Sequence, residues 1–137
     1  MSDLRDCMRN EDKPRGDSEH GWSAGEQLEA LAFYLDPDQV DIAATWDEGD
    51  YQGSVLAAIR LGRHWWFWHD YYGSCSGCDA LENEDGYEYI ADTLVPSDDC
   101  VEFKRRAALL EFLRAPGDPW YGAGPGYAAI LKALEAQ

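Results

Sequence analysis

The stretch His64–Tyr72 (HWWFWHDYY) is the segment that most restricts how this chain folds. Nine residues with this density of Trp, Phe and Tyr suit the pleated, half-buried surface of a strand and little else. Alternation sends Trp65, Phe67, His69 and Tyr71 to one face and His64, Trp66, Trp68, Asp70 and Tyr72 to the other. The preceding stretch, Gly53–Leu61, is also apolar on both faces, and Gly62-Arg63 between the two suits a two-residue hairpin turn with glycine first. A hairpin with large apolar groups on both faces needs helices over each, or it leaves one face as an aromatic contact surface. Trp and Tyr concentrate at interface hot spots, so Trp66, Trp68 and Tyr72 are the rings expected in such an exposed set.

Around this hairpin the patterning changes period. Val40, Ile42, Ala44 and Trp46 alternate with Asp41 and Thr45, which predicts a half-buried strand before the turn Glu48-Gly49-Asp50. Upstream, Ser23 and Glu26 have capping-box spacing, and Leu28, Leu31, Ala32 and Leu35 repeat as one helical face until Asp36-Pro37 ends it. Downstream, 79–94 reads as irregular or short helical structure. Ser97 then reads as an N-cap with Asp98 and Asp99 in the first turn of a helix whose stripe is Phe103, Ala107, Leu110 and Leu113. Ala115-Pro116-Gly117 stops it. Gly122–Gly126 reads as a flexible connector, and Tyr127, Ile130, Leu131 and Leu134 mark a last helix. The expectation is an α+β fold, a three-stranded antiparallel meander sheet with about four helices. Residues 1–21 are expected to be a flexible N-terminal arm and 22–137 a single domain.

Charge is the second constraint. Of the formal −16, residues 21–50 hold eight acids and residues 71–103 nine, with no Lys or Arg in either block. The segments 1–20, 51–70 and 104–137 carry only −2, +1 and +2. Such a field repels nucleic acid and anionic membrane and speeds encounter with a basic surface. A hydrophobic fraction of 45% and six Trp separate the chain from disordered acidic tails. No apolar run is long enough for a membrane helix, and the polar opening residues lack the core of a secretory signal, so a cytoplasmic protein is expected.

Candidate chemistry is sparse. Cys75 and Cys78 have the spacing of half a zinc site, which His69, Cys100 or Asp79 would have to complete through the fold. The same pair follows a strand, as a redox dithiol does, but the β-α-β setting of such a fold is missing. His64 and His69 fall on opposite strand faces, and Ser54, Ser74 and Ser76 lack a nucleophile-elbow context. No catalytic residue and no cofactor is therefore expected, with zinc or a thiol pair at Cys75 and Cys78 as the alternative.

Asp50-Tyr51-Gln52-Gly53 with Tyr72-Gly73-Ser74-Cys75-Ser76-Gly77-Cys78-Asp79 resembles a pattern shared by a group of small bacterial and phage proteins. That pattern marks a family and implies no reaction. In size and acidity the chain is also similar to phage-encoded inhibitors, including anti-CRISPR and anti-restriction proteins, that imitate DNA. This likeness implies a counter-defence protein in the host cytoplasm whose carboxylates occupy a Lys/Arg-lined nucleic-acid groove, without binding nucleic acid or membrane itself. The acids expected to make that contact are Asp36, Asp38, Asp47, Glu48, Asp50, Glu82, Glu84, Asp85 and Glu88, with Trp66, Trp68 and Tyr72 as the apolar anchor.

Overall fold

The apolar hairpin forms as the sequence requires. In the computed structural model, which describes residues 4–9, 26–49, 53–73, 86–115, 117 and 123–137, strands β2 (Gly53–Leu61) and β3 (His64–Tyr72) pair antiparallel, closing with Leu61 opposite His64. Gly62 takes φ 64°, a left-handed conformation that costs glycine nothing and lets the strands turn back within two residues. Strand β1 (Asp41–Asp47) adds to one side of the hairpin and β4 (Cys100–Phe103) to the other. The sheet is thus four-stranded and antiparallel in the order β1-β2-β3-β4, one strand more than the meander expected.

Helices cover both faces. On one face, Val55, Ala57 and Ile59 of β2 and Trp66, Trp68 and Tyr72 of β3 meet helix α1 (Gln27–Tyr34) and helix α2 (Gly86–Thr93). Ala30, Leu31 and Tyr34 supply the α1 contacts and Ile90 those of α2. On the other, Leu56, Ala58, Trp65 and Phe67 meet α3 (Arg106–Arg114) and α4 (Gly124–Glu135) through Leu109, Leu113, Tyr127, Ile130 and Leu134. Trp66, Trp68 and Tyr72 are only 2%, 0% and 6% exposed, so the aromatic contact surface expected of them does not exist. The two-sided apolar pattern is answered by cover on both sides, burying roughly 150–250 Å² of ring per aromatic.

Several elements depart from expectation for local reasons. Residues 4–9 do not behave as an arm. Leu4–Cys7 form a 3-10 helix with Leu4 and Cys7 buried, and Met8 bridges to Leu35. The remainder of that arm lies outside the described residues. In β1 the register shifts between Ile42 and Ala44, so Val40 and Ile42 face the α1 side while Ala44 and Trp46 face the α4 side. One extra residue in a strand inverts its parity, so the four alternating apolar residues do not share a face. Helix α1 buries Gln27, Ala30, Leu31 and Tyr34, leaving Ala32 exposed. The helix expected from Ser97 starts only at Arg106, after β4.

Gly124–Gly126 are not a connector either. They open α4 with Pro125 in its first turn, where the missing N–H costs nothing. A Cβ on Gly126 would lie 2.3 Å from Trp46 Cε3 and 2.7 Å from Leu56 Cδ1, so this glycine sets how closely α4 approaches the sheet. Arg106 donates to the carbonyl of Leu134 at 2.6 Å, tying the start of α3 to the end of α4. Among the described residues, no helix is long and apolar enough to cross a membrane.

Candidate functional site: a carboxylate-lined pocket at the edge of β3

Strand β4 is only four residues long and pairs with Trp65–Trp68, so β3 runs on past it. The next ladder bond is made by the turn instead: the His69 N–H donates to the Asp99 carbonyl at 2.8 Å. Beyond that point the edge of β3, the C-terminal half of α2 and the turn before β4 enclose a cavity of about 260 Å³. Its walls are His69, Asp70, Tyr89, Asp92, Thr93, Ser97 and Asp99. Among these described residues three are carboxylates, and none is Lys or Arg.

Each polar wall has a structural cause. Asp70 is half-buried at the strand edge, and its Oδ2 accepts a 2.7 Å hydrogen bond from the Tyr89 hydroxyl. Burial pushes its carboxyl up to about 6, and nearby Asp99 adds to the rise. The Tyr89 bond and the Tyr71 backbone oppose it without cancelling the desolvation. Thr93 takes the Trp68 indole N–H at 3.0 Å and donates to the Ile90 carbonyl at 2.7 Å, which fixes α2 against β3. Ser97 Oγ accepts the Asp99 N–H at 3.1 Å and shapes the turn.

His69 stands between the pocket and the sheet. Its side chain is 4% exposed, with Nε2 3.2 Å from Ser54 Oγ and Nδ1 3.6 Å from Asp99 Oδ1. Burial lowers its pKa, and the Asp99 carboxylate pulls it back up. Serine, imidazole and carboxylate thus follow in the order used by hydrolases, but two features separate this chain from a working triad. Ser54 is 1% exposed and lies outside the walls of the cavity, so a substrate there meets His69 and not the hydroxyl. The Nδ1–Oδ1 distance also exceeds hydrogen-bond length. The arrangement orients the imidazole between β2, β3 and the turn.

The nominated acids are placed as follows. Asp38 and Glu88 are exposed. Asp36 Oδ1 accepts the Asp38 N–H at 2.9 Å and Oδ2 the Gln39 amide at 3.0 Å, and the Gln39 bond leads in holding its carboxyl below the usual range. Asp47 Oδ1 accepts from the Tyr72 hydroxyl at 3.1 Å and the Gly49 N–H at 2.8 Å. Burial first, then Asp47, pushes the Tyr72 phenol up to about 12. Glu48 Oε1 accepts the Ser54 N–H at 2.9 Å. Asp36, Asp47 and Glu48 therefore shape their own turns and offer less to a partner than exposure alone implies. Asp50, Glu82, Glu84 and Asp85 lie outside the described residues.

Of the residues that could complete a zinc site with Cys75 and Cys78, the two described ones, His69 and Cys100, fall on different sides of the sheet. Cys100 is buried with Trp68 on the α1 side of the sheet, whereas His69 follows Trp68 in the strand and points to the opposite side. The two cannot share a metal. Among the described residues no group of three His, Cys, Asp or Glu is placed to hold a metal ion. Cys75, Cys78 and Asp79 lie outside them.

Sequence reasoning missed Asp70, Asp92 and Asp99 as a group. Only the excess of acid in 71–103 pointed toward part of it. Comparison of the chain with protein-family models, with curated proteins and with solved structures gives no match.

Proposed function

We propose that this is an acidic binding protein that engages a basic partner surface and takes one of the partner's cationic side chains into the pocket at the β3 edge. The reading rests on one observation, a cavity walled by Asp70, Asp92 and Asp99 without a compensating Lys or Arg among the described lining residues. In a chain of net charge −16 this is a place where a guanidinium or ammonium group gains both charge and hydrogen-bond acceptors. Arginine suits it best, because its planar fork of donors can bond more than one carboxylate at once.

The partner chemistry is that of a Lys/Arg-lined groove that holds nucleic acid, with fixed carboxylates taking the positions of phosphates. This is the mode of the acidic phage counter-defence inhibitors that the chain is similar to in size and charge. Exposed Asp38 and Glu88 would add to the field that steers the encounter.

The test separates a site from diffuse attraction. A fluorescent nona-arginine peptide is titrated at low and moderate salt against the native protein, Asp92→Asn/Asp99→Asn, and Glu29→Gln/Glu111→Gln. Both double variants remove two charges, but Glu29 and Glu111 are exposed positions on α1 and α3 away from the cavity. The pocket variant is expected to lose about tenfold more affinity than the control, as for loss of a charge-assisted bond. Equal losses, or binding indifferent to salt, would sink the proposal.

A further inference from the structure

The walls of the pocket include two groups whose protonation changes its charge in the same direction. Asp70 is held at the β3 edge, with Tyr89 of α2 bonded to its Oδ2 and Asp99 near enough to act on it through charge. His69 is faced by Ser54 from β2 and by Asp99 from the turn. Among the described residues the other titratable carboxylate of the walls is Asp92 of α2, and no Lys or Arg lines the cavity. With His69 neutral and the three carboxylates ionised, the walls carry a formal −3. A proton on Asp70 makes this −2, and a second on His69 makes it −1.

We propose that proton uptake at the edge of β3 gates this pocket, which accepts a cationic side chain while Asp70 is ionised and releases it once Asp70 is protonated. The gating rests on the cation-binding reading above. Its physical basis is position. Asp70 lies where the sheet edge is half-buried, so its charged form lacks full hydration and is held by the Tyr89 phenol and the Tyr71 backbone. An incoming guanidinium supplies the missing countercharge, and binding therefore drives the proton off. Mass action runs equally in reverse, and acidification expels the cation. Burial that pushes the Asp70 carboxyl up to about 6 sets this exchange just below neutrality, while solvated carboxylates change charge nearer 4. His69, whose pKa is lowered by burial and drawn back up by Asp99, adds positive charge to the same wall when it takes up a proton.

The experiment measures nona-arginine affinity at pH 7.5 and pH 5.0 at constant ionic strength. Arginine stays charged throughout, so only the protein titrates. Native affinity is expected to fall about tenfold at the lower pH, the loss of one charge-assisted bond. Asp70→Asn should bind at pH 7.5 as weakly as native protein does at pH 5.0 and respond little to pH. Glu29→Gln should keep the native profile. A parallel measurement uses unmodified protein: the Asp70 carboxyl carbon is followed by NMR, and its midpoint is expected near 6. An ordinary carboxylate midpoint, or an Asp70→Asn profile that tracks the native one, overturns the gate alone. Absence of peptide binding at both pH values overturns the cation-binding reading and the gate with it.

Discussion

Replacing Asp70 by Asn should stabilise the protein, and should do so most where the native carboxyl is charged. The folded state raises this carboxyl from 3.8 to about 6, so the native protein takes up a proton more readily than the unfolded chain. A raised folded value means that the contribution of the group is intact below 3.8 and is lost as pH rises through 6. At pH 8 the full difference of roughly two pK units corresponds to about 3 kcal/mol of destabilisation in the native protein. Asparagine removes that cost and keeps an acceptor for the Tyr89 hydroxyl, weakening the bond by about 1 kcal/mol because the charge is gone. The net expectation is a gain of about 2 kcal/mol at pH 8. At pH 4.5 the native carboxyl is already protonated when folded, so asparagine loses no charge-assisted bond there and only about 1 kcal/mol of cost remains for it to remove. Urea denaturation of both proteins at the two pH values reads the quantity directly, since the background effect of −16 net charge is common to both and drops out of the difference. In thermal unfolding the gain corresponds to about 6 °C at pH 8. A variant that changes stability equally at pH 8 and pH 4.5 would show that Asp70 is solvated like any surface carboxylate, and the reasoning from burial would fail.

Two further outcomes test the packing that positions the pocket. Gly126→Ala should destabilise by about 1–2 kcal/mol, because the clash with Trp46 and Leu56 outweighs the better helix propensity of alanine; an unchanged urea midpoint would mean that α4 does not sit this close. Trp68→Phe should cost about 2 kcal/mol in the same assay, through lost volume and loss of the indole donor to Thr93, and should loosen α2 enough to speed hydrogen exchange at Tyr89–Thr93. Fast global exchange without a local effect would place the cost elsewhere in the core.

The sequence makes some of this fold legible and hides the rest for identifiable reasons. The hairpin is plain because Gly62 sits between two runs whose composition permits only strands. The two-layer cover was one of two readings of the same runs, and the buried Trp66 and Trp68 decide it. The bulge in β1 is invisible, since Val40, Ile42, Ala44 and Trp46 alternate as a straight strand would. Strand β4 was masked by a real local signal. Ser97 does accept the Asp99 N–H as a helix cap would, yet the bond closes a turn that feeds Cys100–Phe103 into the sheet. A serine followed by two aspartates carries the same information in both settings, and only pairing with Trp65–Trp68 distinguishes them. The pocket was less legible still, because its walls come from 69–70, 89–93 and 97–99 and meet only through the fold.

That convergence follows from unequal strand lengths. Strand β3 has nine residues and β4 four, so among the described residues no strand pairs with the last residues of β3 on the side where β4 pairs with Trp65–Trp68. An open edge leaves backbone groups to be satisfied and invites pairing with another chain, and a charged residue set into it discourages that. Asp70 does this, but a guard needs only one charge and works best in full solvent. Here the carboxyl is half-buried, bonded to Tyr89, and joined by Asp92 and Asp99 around a common cavity, while His69 stands behind it with Ser54 and Asp99 on its two nitrogens. Guarding an edge does not call for three carboxylates facing one space at a cost in stability. Holding a cation does, and the destabilisation that Asp70 imposes on the empty protein is the part a bound guanidinium would reverse.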